Sequence, residues 1–159
     1  MKRVLYGVLA IMATFMVACG PTQDDAITFN DTLVEMDNTA YETFSDYESA
    51  IYDGDEDDIE ELGAKLQEDI DAGLEYINSD SDFDGPFKES AIAMFEAYQV
   101  SLDDFFPVMI EYWTNDWDED LEEAEEDAYN DMYDLIEEKS DDFIEAQEAF
   151  ADEWDFILE

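Results

Sequence analysis

The chain has 159 residues, about the length of one domain, and carries 48 Asp and Glu against five Lys and Arg, a formal net charge of -43. It contains no His and a single Cys, which excludes His-based acid–base catalysis, His-ligated or Cys-cluster metal sites and an internal disulfide. The charge also excludes direct binding to nucleic acid, because contacts to phosphates require a surface rich in Lys and Arg.

The first 18 residues have the pattern of a bacterial signal peptide. Lys2 and Arg3 form a positive start, and residues 4–17 are mostly apolar but too few to span a bilayer as a helix. The stretch ends in MVAC (residues 16–19), which resembles the lipobox of bacterial lipoproteins. The alternative is an ordinary secretory signal in which Cys19 falls at this position by chance.

The lipobox resemblance implies that Cys19 is lipidated and becomes the first residue of the mature chain. Gly20 resembles the residue that follows the Cys in lipoproteins sent to the outer membrane. Each buried methylene of an acyl chain contributes about 0.8 kcal/mol, so several chains would anchor the protein firmly. Removal of residues 1–18 leaves all 48 acids and three lysines, so the net charge becomes -45.

The remaining chain has the pattern of helices rather than of a disordered acidic tail. Apolar residues, many of them aromatic, recur at steps of three and four along four segments, at about 24–52, 57–77, 86–113 and 118 to the end. In the third segment the predicted buried face includes Tyr98, Leu102, Phe105 and Met109. Residues 19–23 are expected to form a short tether, and residues 24–159 one domain.

The breaks between the segments are short and rich in turn-forming residues. Gly54 suits the end of the first helix, and Pro86 suits the first turn of the third. Short connections favour antiparallel neighbours, so we expect an all-α, up-down-up-down four-helix bundle. Pro107 predicts a kink in the third helix, and the fourth is expected to be long or broken near Ser140.

Three stretches of the chain resemble a known group of proteins. They are ITFNDTLV (residues 27–34), FKESAI (87–92) and AQEAFA (146–151). Together they resemble an uncharacterised family of small, all-helical bacterial surface lipoproteins. The resemblance implies a helical bundle with a surface anchor and supplies no catalytic residues.

The acidic composition suggests adaptation to salt. Many like charges on one small domain oppose compaction, and salt relieves the repulsion because the Debye length falls from about 10 Å at 0.1 M to about 3 Å at 1 M. Acids in place of nearly every Lys and Arg resemble the surfaces of proteins from halophilic microbes. On this hypothesis the acids are a solvated surface and not a binding site.

A second hypothesis is cation binding by the connection before the third helix. Asp80, Asp82, Asp84 and Gly85 match the first half of an EF-hand loop, whose oxygen ligands wrap a Ca²⁺ ion. The match fails at the twelfth position, where Ala91 replaces the bidentate Glu. The alternatives are weak Ca²⁺ or Mg²⁺ association and a simple helix cap.

Two further hypotheses concern catalysis and partner binding. No carboxylate pair stands out among so many acids, so we expect no enzyme activity. Aromatic residues cluster around the third connection and offer a surface for a protein or glycan, or close the end of the core; they are Phe105, Phe106, Tyr112, Trp113 and Trp117.

The sequence therefore predicts a lipid-anchored acidic protein at the outer membrane or cell surface. Its expected role is structural or interactive, its surface is adapted to high salt, and its expected partners are the membrane, cations and a protein or glycan. The alternative is a Ca²⁺-binding lipoprotein that uses the loop at residues 80–85.

Overall fold

A computed structural model describes residues 20–54, 56–80, 82–115 and 118–158. These residues form α-helices joined by short connections, with no β-strand among them, so the predicted all-α class is confirmed. The helices are α1 (Gln23–Asp53), α2 (Glu56–Ser79), α3 (Pro86–Val100), α4 (Phe106–Thr114) and α5 (Glu119–Trp154). A π-helical turn, Ser101–Phe105, joins α3 directly to α4.

The ends of α1 are fixed by capping. The Thr22 hydroxyl accepts a hydrogen bond from the Asp25 backbone N–H, and the Asp25 carboxylate accepts one from the Thr22 N–H at 2.9 Å, which completes a capping box. The pKa of Asp25 is lowered first by the Thr22 hydroxyl, which also donates to its carboxylate at 2.7 Å, and then by the Thr22 N–H. Gly54 ends the helix in the left-handed conformation at φ 69°, as the sequence predicted. Gln23, expected in the tether, is already helical.

The π-helical turn lies where Pro107 interrupts the hydrogen-bond ladder. Pro107 has no N–H to donate, and the Phe106 N–H bonds the carbonyl of Ser101, five residues earlier. The wider turn changes which residues of this stretch are buried. Ser101 and Phe106 are fully buried, whereas Leu102 and Phe105, which the spacing placed in the core, are only half-buried.

The fourth predicted segment is one long helix. Its N-cap is Asp118, whose carboxylate accepts a hydrogen bond from the Asp120 N–H at 2.9 Å, and the helix runs from Glu119 past Ser140 to Trp154. Of the two alternatives, the long helix is therefore found and the break near Ser140 is not. Asp155 ends the helix at φ 56°. Ile157, which the spacing extended into the core, lies beyond this end and is 91% exposed.

The core is rich in aromatic rings and lies between the helices. α1 packs on α2, α2 on α3, and α3 and α4 on α5. The largest fully buried side chains include Phe29, Phe44, Phe95, Tyr98 and Phe106. None of the described helices is long and apolar enough to cross a membrane.

Candidate functional site

The predicted lipidation residue, Cys19, lies outside the described residues. The described chain starts one residue later, and its first helical turn is tied to the far end of the sequence. The Gln23 side-chain amide donates a hydrogen bond to the Asp155 carbonyl. The start of α1 and the segment after α5 therefore lie at the same end of the molecule.

The candidate cation loop is organised around a lysine. The Asp80 carboxylate accepts a hydrogen bond from the Asp82 N–H at 2.8 Å. The Lys88 ammonium donates to the Asp80 carbonyl and pairs with the Asp84 carboxylate at 3.1 Å. Asp82 and Asp84 are exposed, and nowhere in the described part of the chain do three or more acidic groups lie where they could hold a metal ion together. The loop oxygens thus converge on an ammonium group.

The same loop contributes a core residue that the helical spacing could not predict. Phe83 is buried, with its ring centroid 4.9 Å from that of Phe29 and edge-on to Phe150 and Trp154. A cavity of about 240 Å³ lies between the loop and the end of α5. Because the rings that line it are mostly buried against one another, the cavity is best described as a gap at the edge of the core.

The aromatic residues around the third connection mostly serve the core. Phe106 is fully buried, and Phe105 and Tyr112 are half-buried. Trp113 is 43% exposed, donates to the Glu125 carboxylate at 3.4 Å and stands edge-on to Tyr52. Trp117 lies outside the described residues. One open ring among the four described members of this set favours the core interpretation over a stacking surface.

Tyrosine hydroxyls tie α1 to the other helices. Tyr98 donates to the Asp37 carboxylate at 3.0 Å, and Tyr133 donates to Glu48 at 2.6 Å. Burial raises the pKa of both tyrosines, and the carboxylates beside them add to the rise, so both hydroxyls keep their protons. Burial also raises the pKa of Asp37, against the opposing effect of the Tyr98 hydrogen bond.

These polar groups are satisfied within the protein. Every buried side-chain nitrogen or oxygen in the described residues has a hydrogen-bond partner. The tyrosine–carboxylate pairs join α1 to α3 and α5. This structural role, as hydrogen bonds between helices, explains why these polar groups are buried. None of them presents an activated nucleophile or base to a cavity.

The three lysines of the helical region are all engaged by carboxylates. Lys65 pairs with Asp69 at 3.5 Å, Lys88 with Asp84, and Lys139 with Glu138 at 2.5 Å and Asp142 at 3.8 Å. The remaining acidic residues are mostly exposed on the outer faces of the helices. The surface therefore presents a large excess of negative charge over its own positive charge.

A concave surface runs along α1, and we call it the α1 groove. It has a volume of about 830 Å³ and lies between α1, Gln147 of α5 and the segment after α5. At its base the buried Asn30 accepts a hydrogen bond from the Gln147 amide at 2.9 Å, which holds the two walls together. The residues of α1 that line it are Ile27, Asn30, Asp31, Val34, Glu35, Asn38, Thr39 and Glu42.

Comparison of the chain with protein-family models, with curated proteins and with solved structures found no match. The resemblance to surface lipoproteins therefore stays a prediction from the sequence, and function is argued from the residues and their geometry.

Proposed function

We propose that the protein is a lipid-anchored, extracytoplasmic acidic bundle with a structural or interaction role and no catalytic activity. In this proposal the helices form an antiparallel up-down-up-down bundle with a bend where the π-helical turn meets Pro107. The observation that carries the proposal is the contrast between a buried core rich in aromatic rings and a surface whose three lysines are already paired with carboxylates.

The charge distribution supports adaptation to salt. The acids cannot be neutralised by basic residues of the chain, so ions from the solvent must screen them. Paired exposed charges contribute little, about 0–1 kcal/mol each, so the four ion pairs do not offset the repulsion of the whole surface. The aromatic core supplies the opposing term, because apolar burial is strengthened and not screened by salts that are excluded from the surface.

A salt titration tests the adaptation. Circular dichroism of the full chain in a non-ionic detergent should show little helix below about 50 mM NaCl and a rise to full helix content near 1 M. Choline chloride at the same ionic strength should have a similar effect if screening is the cause. A helix content that does not change between dilute and molar salt contradicts the proposal.

The lipid anchor is supported by the MVAC pattern. With such an anchor, the hydrogen bond between Gln23 and Asp155 would hold the C-terminal end of α5 near the membrane. In bacteria fed an alkyne-labelled fatty acid, the wild-type chain should carry the label and fractionate with membranes. Cys19→Ser removes the only Cys and should abolish both. Label on the Cys19→Ser chain, or none on the wild type, would reject the anchor.

Cation binding by the loop is the second candidate, because Asp80 and Asp84 already converge on the Lys88 ammonium. Lys88→Ala should free these oxygens and tighten Ca²⁺ binding, measured by calorimetry. Lys65→Ala removes the same charge from α2 and serves as the control. Saturable heat with Lys88→Ala alone supports a loop site, and equal heats for the two variants indicate loose association of Ca²⁺ with the acidic surface.

A further inference from the structure

The α1 groove has the length and the shape to hold a helix. It extends along α1 from Ile27 to Glu42. At 1.5 Å per residue this is about 22 Å, or roughly four helical turns. The opposite wall is formed by Gln147 of α5 and by three residues of the non-helical chain after Trp154, Phe156, Ile157 and Leu158. Amphipathic helices bind such grooves through side chains spaced three and four residues apart.

Apolar side chains form part of the groove surface and remain partly or fully accessible to water. Ile27 and Val34 of α1 are half-buried, as is Leu158. Ile157 is 91% exposed, the highest value among the large apolar side chains of the described residues. Burial of such a side chain in an interface contributes about 25 cal/mol for each Å² removed from water, so an apolar partner face would be stabilised here.

The charged side chains around these apolar residues are all negative. Asp31, Glu35 and Glu42 are exposed along the α1 edge of the groove, and neither Lys nor Arg is among the described residues that line it. A second copy of this acidic chain or a membrane of anionic lipid would be repelled. A partner that matches both features is apolar on one face and positively charged on its flanks.

We propose that the α1 groove binds a basic amphipathic helix, about 15 residues long, of a partner protein. Its apolar face would cover Val34 and Ile157, and its Lys and Arg side chains would pair with Asp31, Glu35 and Glu42. The inference deepens the interaction role proposed above and rests on it. It is independent of the lipid anchor, because the groove is formed by the helical region alone.

The probe is a fluorescent peptide of about 15 Leu and Lys residues with Leu at helical spacing, titrated with the full chain in non-ionic detergent. Fluorescence anisotropy is read at the lowest salt that gives full helix content, and empty micelles give the background. A peptide of the same composition with scrambled Leu positions should bind at least tenfold more weakly. Similar binding of the two peptides would show attraction by charge alone and would overturn the proposal.

Groove variants locate the binding. The triple variant Asp31→Asn, Glu35→Gln, Glu42→Gln should weaken peptide binding about tenfold, since each exposed pair contributes up to about 1 kcal/mol. Neutralisation of Glu123, Asp127 and Asp134 on α5 is the control, because these exposed acids have the same spacing along a helix. The control should change affinity less than twofold. Equal effects of the two triple variants would overturn the proposal.

The apolar contact has its own matched pair of variants. Ile157→Ser should weaken binding severalfold, and Ile144→Ser, at a half-exposed site outside the groove, should not. The effect of Ile157→Ser should persist at higher salt, where the effect of the acids declines. If Ile157→Ser instead lowers binding of the chain to zwitterionic vesicles and leaves peptide binding unchanged, the segment contacts lipid and the proposal is wrong. If the peptide-binding tests fail but helix content still rises with salt, the groove proposal is rejected and the proposed salt adaptation is not.

Discussion

The buried side chains fall into two groups. Some lie on the face that a helical period marks as apolar, and others are brought into the interior only by tertiary packing. The stripe predicted for α1 is buried at Phe29, Leu33 and Phe44, because a helix presents residues three and four apart on one face. Phe83 could not be predicted in this way, since a connection has no period. The pairing of Asp37 with Tyr98 could not be predicted either, because the two residues are 61 positions apart and only the packing of α1 against α3 brings them together.

The Asp37 carboxyl gives the first prediction, which concerns pH. Burial raises its pKa above the ordinary value of 3.8, so the folded protein holds this proton more tightly than the unfolded chain does. The resulting stabilisation is complete below 3.8 and is lost as the pH rises through the folded pKa. Relative to Asp37→Asn, which keeps an acceptor for the Tyr98 hydroxyl, wild-type stability should fall as the pH rises from below 3.8 through the folded pKa of Asp37.

Urea unfolding at about 1 M NaCl measures this difference at each pH. Asp46→Asn, at an exposed position of the same helix, removes an equal charge and corrects for the general repulsion of the surface. A tenfold difference in acidity between the folded and unfolded states corresponds to about 1.4 kcal/mol. A stability difference between wild type and Asp37→Asn that follows the Asp46 control at every pH would contradict the prediction.

At the scale of helices, the segment boundaries were predictable and the details of their contacts were not. Gly54 and Pro86 mark helix ends through backbone preferences that act locally. Pro107 predicts an irregularity in the helix but not its form. A helix can accommodate the missing N–H by a kink, a break or a wider turn, and packing decides which of these occurs. The π-helical turn that results buries Ser101 and Phe106, a register that a regular period of 3.6 residues cannot anticipate.

The contact between α2 and α3 gives the second prediction. A methyl group added at Gly73 would lie 2.3 Å from the ring of Phe95, which is itself fully buried. Gly73→Ala should therefore destabilise the protein by about 1–3 kcal/mol through overpacking, partly offset by about 1 kcal/mol of improved helix propensity. Urea unfolding in molar salt measures the loss.

A smaller partner tests the cause of that loss. In a Phe95→Leu background the added methyl has more room, so Gly73→Ala should cost less there than in the wild type, or stabilise the helix. Gly63→Ala is a useful comparison, because its nearest contact, the Tyr47 ring at 3.2 Å, is less severe. An equal loss in the wild-type and Phe95→Leu backgrounds would show that the clash with Phe95 is not responsible.

For the molecule as a whole, the composition and the apolar periodicity favour different states, one disordered and the other folded. The charge alone is typical of disorder, whereas the aromatic spacing requires a core. The structure places most of the described aromatics between helices and most of the acids outside, so both patterns are satisfied. The α1 groove was not predictable, because its C-terminal wall exists only where α5 ends at Asp155 and the Gln23 side chain meets that end.

The third prediction concerns the net charge. Glu123, Asp127 and Asp134 are exposed along α5, away from the described salt bridges. If repulsion limits stability, changing all three to Lys should raise the urea midpoint at about 0.1 M NaCl, and the Gln and Asn versions should raise it by a smaller amount. At about 1 M NaCl, where the Debye length is about 3 Å, the three proteins should unfold at similar urea concentrations.

The comparison at high salt separates two physical roles for the acids. If they only repel one another, screening removes the difference between the variants and the wild type, as just described. If the carboxylates instead stabilise the folded state by holding hydrated cations, the Lys variant should become less stable than the wild type in molar salt. A Lys variant that is no more stable than the wild type at about 0.1 M NaCl would reject repulsion as the limit on stability, because fewer negative charges would then bring no gain where screening is weakest.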